Sequence, residues 1–153
     1  MRIINDYYAE LNHFLVEVFN EILRVEEASL KKGEFKNLSV REMHVIEAIC
    51  TANERETGNR ATDIAHALRI SAGTLTTTVS LLEKKGYIKR KQDVQDKRII
   101  RLFATEKGMS ANRAHQSFHH EMVTNVMNTL DIEGIEVLIK GLKSLEMFFN
   151  SNK

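Results

Sequence analysis

Threonine is concentrated in one short stretch of the sequence, SAGTLTTTVSLLEKKG, which begins at Ser71. It contains Thr74, Thr76, Thr77 and Thr78. Each threonine costs about 0.5 kcal/mol against alanine in a helix, because its branched side chain loses rotamer freedom. Its short side chain nevertheless carries a hydroxyl and a methyl group, and both can contact base edges in the major groove of DNA. The stretch therefore combines weak helix formers with chemistry suited to reading bases.

Positive charge is concentrated directly after this stretch. Between Lys84 and Arg101 the sequence has eight Lys or Arg and two Asp, which leaves +6 in a chain of formal net charge +1. Residues 1–32 have four basic and six acidic residues, which leaves −2. This asymmetry indicates a local patch that binds a polyanion, although a solvated charged surface would have the same composition.

Histidines offer a second kind of chemistry. His115 and His119 are four residues apart, with His120 and Glu121 adjoining, and this spacing can hold a metal ion on one helix. No cysteine or remote acidic cluster stands out to complete a ligand set, so a solvated helix face is the favoured interpretation. We predict no metal site and no cofactor.

Three other candidate residues stand alone in the sequence. His44 and His66 are interpreted as polar neighbours of other side chains rather than ligands. Cys50 is the only cysteine, which excludes an internal disulfide and favours inert packing over redox sensing. Neither a Gly-rich phosphate loop nor a nucleophile motif is present, so the protein is not expected to be an enzyme.

Helical periodicity predicts which face of a helix each threonine occupies. Leu75, Val79 and Leu82 recur at i, i+4 and i+7 and predict a helix from Ala72 to Lys85, with Gly86 where it should end. When these leucines and the valine face the core, the opposite face presents small and polar side chains. They are Gly73, Thr77, Ser80 and Lys84, with Thr76 on the flank.

The flanking sequence predicts mostly helices. The chain has no proline, and a heptad-like apolar pattern predicts a long amphipathic helix over residues 3–31. Ser39 and Glu42 can form a capping box at the start of a second helix, and Asn59 can cap a short helix at 60–68 to within a residue.

After the threonine helix, YIKRK and RIIRLFA predict a hairpin of two strands, with Ile100 and Leu102 on one face. Further helices are predicted after Thr105 and after Asp131. No apolar run approaches the length of a membrane span, and the N-terminus lacks the apolar region of a signal peptide, so a cytoplasmic protein is expected.

The predicted fold is mainly α: a winged helix-turn-helix with a small β-hairpin wing and long N- and C-terminal dimerisation helices. The segments DIAHALRIS, LEKKGYIKR and DVQDKRIIRLFATEKG resemble the MarR family of winged-helix transcriptional regulators. The resemblance extends over nearly the whole chain. It implies a DNA-binding lobe at 38–104, and a dimerisation lobe made of 1–37 and 105–153.

The resemblance also implies roles for individual residues. Arg98 is expected to reach a minor groove, and Asp96 to help hold the wing. Lys97 and Thr77 stand where the family often has arginine, so a bidentate contact from arginine to guanine is not available at position 77. The expected contacts with double-stranded DNA are Ser71, Ala72, Gly73, Thr74, Thr76, Thr77, Ser80, Lys84, Lys97 and Arg98.

A narrower resemblance lies in NEILRVEEASLKKGEFKNLSVREMHVIEAI together with GTLTTTVSLLEKKGYIKR. Both segments are similar to the fatty-acid-synthesis repressors of Gram-positive bacteria. This implies a homodimeric repressor on a pseudo-palindromic operator, with long-chain acyl-acyl carrier protein as co-repressor. The alternatives are a family member that responds to another small ligand or to zinc, and a protein-binding adaptor that uses the same fold without DNA.

The predicted effector cavity lies where the first, second and fifth helices meet. Its expected lining is Phe14, Val18, Met43, Ile46, Phe118 and Met122. From periodicity alone, ordinary core packing is the favoured interpretation of these residues, and the resemblance to the fatty-acid-synthesis repressors reverses that preference. For the acidic carrier protein, the basic candidates near the cavity are Arg24, Lys31, Lys32 and Arg41.

Overall fold

The computed structural model describes residues 2–152, with side chains described from Ile4 onward. The mainly helical winged fold predicted from the sequence is confirmed. The elements in chain order are α1 (Arg2–Lys32), α2 (Val40–Glu54), α3 (Ala61–Leu68), α4 (Ala72–Lys84), β1 (Ile88–Gln92), β2 (Ile100–Ala104), α5 (Glu106–Thr129) and α6 (Ile132–Ser151).

The chain divides into two compact units within α5. The first runs up to His115 and contains α1 to α4, both strands and the first turns of α5. The second begins at Gln116 and contains the rest of α5 and α6.

Local capping explains where several helices begin. Ser39 and Glu42 form the predicted capping box: Ser39 Oγ accepts from the Glu42 amide at 3.2 Å, and Glu42 Oε2 accepts from the Ser39 amide at 2.8 Å. Asp131 caps α6 as expected, by accepting from the Gly134 amide. At α3 the cap position is Arg60 rather than Asn59, within the predicted tolerance of one residue.

The hydrophobic core of the first unit lies between α2, α3, α4 and the wing. Met43, Ile46 and Ile49 of α2 are fully buried. Leu82 of α4 and Leu102 of β2 are equally buried. Helix α4 and the wing therefore share one closely packed core.

The wing is an antiparallel hairpin in which Ile88 is opposite Ala104 and Gln92 is opposite Ile100. Its second strand is also held on its outer edge. The Leu102 amide donates to Asn59 O at 2.8 Å, and the Ala104 amide donates to Asn53 Oδ1 at 2.9 Å. The buried Asn59 and the half-buried Asn53 thus occupy backbone groups that an edge strand would leave open.

The start of α5 is fixed against the turn that follows α4. Gly86 has φ +81°, and Thr105 Oγ1 donates to Gly86 O and accepts from the Gly108 amide. A Cβ at Gly108 would lie 2.2 Å from Tyr87 O, so only glycine permits this approach. Thr105 therefore begins the helix where the sequence predicted.

Large apolar side chains remain exposed on helices of each unit. In α1, Tyr8 is 72% exposed and Leu11 is 61% exposed, and no residue of α6 is buried. Helices α1 and α6 therefore carry apolar side chains that remain exposed to solvent in the single chain. Among residues 2–152 no helix combines the length and apolarity needed to cross a bilayer.

Candidate DNA-binding surface

Helix α4 (Ala72–Lys84), which we call the reading helix because it is the candidate for reading bases, buries one face and presents small side chains on the other. Leu75, Val79 and Leu82 are buried, and so is Thr78, which is 6% exposed. Thr78 therefore belongs to the core and not to the outward face. The exposed positions of this helix and its cap are Ser71, Ala72, Gly73, Thr76, Thr77, Leu81 and Lys84, with Thr74 and Ser80 half-buried.

The threonine hydroxyls have their own partners within the helix. Thr76 Oγ1 donates to Ala72 O at 2.8 Å, and Thr77 Oγ1 donates to Gly73 O at 3.1 Å. Because each hydroxyl proton is used one turn back, the remaining groups are the methyl and the lone pairs on oxygen. Thr76 and Thr77 are thus suited to contact a thymine methyl or to accept from an amino group.

The helix N-terminus is capped by Ser71, whose Oγ accepts from the Thr74 amide at 3.1 Å. The same hydroxyl donates to Thr74 Oγ1 at 2.8 Å. Both side chains therefore stabilise the first turn of the helix. Any contact they make with DNA comes in addition to this capping role.

Glu83 lies beside the reading face and would repel phosphate if it were unpaired. Its carboxylate accepts from Arg90 Nη2 at 2.6 Å and from Arg90 Nε at 2.9 Å. These bonds hold the pKa of Glu83 below its ordinary value. The pair joins α4 to β1 and cancels the one negative charge in the groove lined by Thr76, Thr77, Ser80, Leu81, Glu83, Lys84 and Arg90.

At the wing, Asp93 organises the turn between the strands. Its carboxylate accepts from the Gln95 and Asp96 amides at 3.0 and 3.1 Å and from Arg101 Nε. The Arg101 bond is the largest cause that lowers the pKa of Asp93 to about 2. Arg101 also donates to Asn59 Oδ1 at 2.8 Å, which connects the wing to the segment before α3.

Arg98 projects from the wing tip with its side chain 90% exposed. Asp96 Oδ1 accepts from the Arg98 amide at 3.0 Å and from its Nε at 3.1 Å, and Asp96 Oδ2 accepts from its Nη2 at 3.1 Å. The side-chain bonds from Arg98 lower the pKa of Asp96. Asp96 thus orients Arg98, whereas Asp93 and Arg101 hold the wing.

Sequence reasoning did not identify Asp93, Arg101 or Asn59 as functional. The available signal was their position: Asp93 directly follows β1 and Arg101 is the second residue of β2, so their opposite charges can pair across the hairpin. Asn59 had been assigned only to a helix cap.

The basic segment divides into paired and unpaired charges. Four of its eight cations are in salt bridges, which are Lys85–Glu42, Arg90–Glu83, Arg98–Asp96 and Arg101–Asp93. The other four are exposed lysines with no salt bridge to any of residues 2–152: Lys84, Lys89, Lys91 and Lys97. Lys91 Nζ lies over the Phe103 ring, 5.3 Å from its centroid. All four lysines can bind phosphate without breaking a salt bridge.

The residues expected to line an effector cavity lie in different surroundings. Met43 and Ile46 are fully buried in the core, whereas Phe14 is 52% exposed and Val18 is 45% exposed. Phe118 and Met122 are half-buried residues of the second unit. The cavity stays a prediction.

Two further sequence interpretations concern chemistry away from the DNA-binding face. Cys50 is buried, and burial, followed by the charge of Glu54, raises the pKa of its thiol to about 11, in keeping with inert packing. His120 is exposed, in agreement with the solvated helix face that the sequence favoured for the histidines of α5. For His115 that interpretation is wrong, because it is 5% exposed within the first unit.

Comparison with known proteins agrees with this geometry. The MarR family model matches residues 41–100. The crystal structure of Streptococcus pneumoniae FabT in complex with DNA is 36% identical, covers 95% of this chain and 99% of that chain, and has a TM-score of 0.87. No curated protein matches the sequence.

Two more distant structures show the same fold. The S. aureus MepR–DNA complex is 20% identical, with coverage of 90% of this chain and 95% of that chain and a TM-score of 0.75. The transcriptional regulator BldR from Sulfolobus solfataricus is 22% identical, with coverage of 93% and 96% and a TM-score of 0.66. The family match over the helix-turn-helix and the likeness to FabT over nearly the whole length agree, and the chain belongs to the MarR family of winged-helix transcriptional regulators.

Proposed function

We propose that the protein is a homodimeric repressor that binds a pseudo-palindromic operator. The observation that carries this proposal is a set of exposed groups on α4 and the wing: the threonine methyls of α4, the four lysines without a salt bridge and the oriented Arg98. In this proposal α4 enters the major groove and reads bases, and Arg98 enters the adjacent minor groove. The lysines contact phosphate and supply affinity without sequence information.

The exposed apolar faces support a dimer. Tyr8, Leu11 and Phe14 of α1 and Phe148 and Phe149 of α6 are each more than half exposed in the single chain. Apolar exposure on this scale marks an interaction surface in a regulator that has to remain in aqueous solution. A second copy of the chain would cover these faces and place two reading helices on one duplex.

We further propose that the repressor controls fatty-acid synthesis genes in the cytoplasm, with long-chain acyl-acyl carrier protein as co-repressor. The identity of 36% to FabT over 95% of the chain supports this assignment. A groove between the end of α1 and the start of α2 is lined by Lys31, Lys36 and Arg41, together with Glu27 and Glu42. Lys31 pairs with Glu27 and Glu42 pairs with Lys85, so Lys36 and Arg41 are the cations of this groove proposed to meet an acidic carrier. The other basic candidates are the exposed Arg24 and Lys32.

The test is a titration of the full-length protein onto a fluorescent duplex taken from its own promoter region, with a scrambled duplex as control. We expect tighter binding to the promoter duplex, with affinity that falls as salt rises. Equal binding to both duplexes would remove the repressor proposal, and no binding to either would favour the adaptor.

The co-repressor is tested on the same complex. Long-chain acyl carrier protein should tighten operator binding by about 1 to 3 kcal/mol, the ordinary range of coupling energies. The unacylated carrier is the control and should have little effect. Identical curves for the two carriers would overturn the lipid assignment and leave DNA binding intact.

A further inference from the structure

The groove beside the reading helix contains one large apolar side chain, Leu81. It is 46% exposed, and it lines the groove together with Thr77 one turn earlier and Lys84 one turn later. Its neighbour Leu82 is fully buried in the core. A single exposed leucine is common on protein surfaces, but this one lies on the face proposed to enter the major groove. Leu81 is not among the DNA contacts expected from the sequence.

The side chains that distinguish bases by bidentate hydrogen bonds are missing from the reading helix. Residues 72–84 include no Arg, Asn or Gln, which make such contacts to guanine and adenine. Glu83 could accept from cytosine, but its carboxylate is held by Arg90 at 2.6 and 2.9 Å. Lys84 is the remaining charged side chain of the helix and lies in its last turn. Base edges therefore meet few charged or amide groups on α4.

The hydroxyl groups of the helix are also largely committed. The protons of Thr76 and Thr77 are donated to backbone carbonyls one turn back, and that of Ser71 is donated within the cap. Ser80, whose hydroxyl could also meet a base, is half-buried. The groups that remain for direct reading are therefore mainly apolar: two threonine methyls and the isobutyl group of Leu81.

The major groove offers one apolar group to such side chains, the C5-methyl of thymine. Thr77 and Leu81 are four residues apart, so they lie on the same face of the helix and about 6 Å apart along its axis. That distance is close to two base-pair steps of about 3.4 Å each. Where the helix axis follows the groove, the two side chains can therefore contact methyl groups on different base pairs.

The charge around Leu81 favours DNA as the occupant of this groove. Its lining includes two cations, Lys84 and Arg90, and one carboxylate, Glu83. Arg90 compensates that carboxylate, whereas Lys84 is exposed and has no salt bridge to residues 2–152. An apolar patch beside a free positive charge is complementary to a base edge flanked by phosphate, and less so to a purely apolar partner.

We propose that Leu81 is a base-reading residue, and that Leu81 and Thr77 recognise the C5-methyl groups of two pyrimidines in each half-site. Specificity in the major groove then depends mainly on methyl groups, and thymine is read as a 5-methylpyrimidine. For the same reason 5-methylcytosine is preferred to cytosine at these positions. The inference rests on the proposed entry of α4 into the major groove, and it identifies the chemical groups that are read there.

The test replaces thymine by uracil, one position at a time, in the promoter duplex bound by the full-length protein. Uracil keeps the pairing with adenine and lacks only the methyl group. We expect two positions in each half-site at which uracil weakens binding about fivefold, as expected for the loss of one methyl-sized apolar contact. The same replacements in the scrambled duplex should leave its weaker binding unchanged.

Variants assign these positions to side chains. Leu81→Ala should weaken binding to the unmodified duplex about fivefold and lose the uracil penalty at one position, because the methyl there has no partner left. It should keep the penalty at the position read by Thr77. Leu81→Met retains the apolar volume and should retain most of the affinity. Lys84→Met is the matched control on the same helix, and it should weaken every duplex alike and keep both penalties.

Cytosine methylation gives an independent measurement. At the position that depends on Leu81, a pair of 5-methylcytosine and guanine should bind the wild type about fivefold more tightly than a pair of cytosine and guanine. It should bind Leu81→Ala no more tightly. Circular dichroism checks that the variant is folded, and the uracil series on the wild type needs no variant.

The possible failures are distinguishable. Unchanged affinity for every uracil duplex would overturn the reading of methyl groups. The same uracil penalties in wild type and Leu81→Ala would overturn the role of Leu81 and leave DNA recognition standing. A protein that binds the promoter and scrambled duplexes equally would instead contradict the proposed function.

Discussion

Thr77 is proposed to read a base, although its hydroxyl proton is donated to Gly73 O within its own helix. Its methyl is the group left for thymine. Thr77→Ser removes the methyl and should cost about 1 kcal/mol on the operator, as should Thr77→Ala, whereas Thr77→Val should keep most of the affinity. Binding is measured by fluorescence anisotropy on the operator and on a copy with uracil in place of thymine. Equal losses from Thr77→Ala on operator and random DNA would show that Thr77 reads no base.

Arg98 is oriented by the carboxylate of its neighbour Asp96. Arg98→Ala should weaken binding and reduce the slope of log affinity against log salt by about one, because one phosphate-neutralising charge is lost. Asp96→Asn keeps the charge of Arg98 but weakens its orientation, so affinity should fall without a smaller slope. A salt series on the operator duplex gives both quantities. An unchanged slope in Arg98→Ala would place Arg98 away from DNA.

At the scale of elements, the wing depends on Asp93. Its pKa is lowered from 3.8 to about 2 by Arg101 and by two backbone amides. A depressed pKa means that the ionised carboxylate stabilises the folded wing above about pH 4 and that this contribution disappears as pH falls toward 2. Carboxyl NMR titration should give a midpoint near 2, and amide exchange at Gln95 and Asp96 should accelerate below it. A midpoint near 3.8 would contradict the pairing.

The reading helix is attached to α2 through a partly buried ion pair. Lys85 Nζ lies 2.7 Å from Glu42 Oε1 and donates to Asn37 O at 2.6 Å. Lys85→Met leaves the buried carboxylate without its cation and should lower the free energy of unfolding by about 2 kcal/mol. Lys85→Met combined with Glu42→Gln should recover part of that loss. Urea denaturation measures both, and a Lys85→Met variant as stable as the wild type would contradict the attachment.

Lys84 provides the matched control, since it is the neighbouring lysine, exposed and without a salt bridge to residues 2–152. Lys84→Met should change the free energy of unfolding by less than about 0.5 kcal/mol. It should instead weaken binding to operator and random DNA by similar amounts, as expected for a phosphate contact.

At the scale of the whole molecule, the exposed apolar faces of α1 and α6 predict an obligate dimer. Sedimentation at micromolar concentration should give the mass of two chains, and the reading helices of the dimer should be about 34 Å apart, one turn of DNA. Leu11→Asp and Leu142→Asp place a charge on these faces and should shift the protein toward the monomer. A monomeric mass for the wild type would contradict the prediction.

The sequence by itself determined the helices, their caps and the outward face of α4. Periodicity and capping depend on residues within three or four positions of each other, so the capping box at Ser39 and the stripe of Leu75, Val79 and Leu82 were readable without a fold. Thr78 was absent from the expected DNA contacts, and the structure places it in the core.

Only the tertiary structure decided which charges are free and which are paired. Lys85 and Glu42 are 43 residues apart, Arg101 and Asn59 are 42 apart, and Glu26 and His44 are 18 apart. Their contacts depend on how helices cross and how the wing folds back, and no local pattern encodes those angles. For the same reason the four lysines without a salt bridge became visible only once the helices were packed.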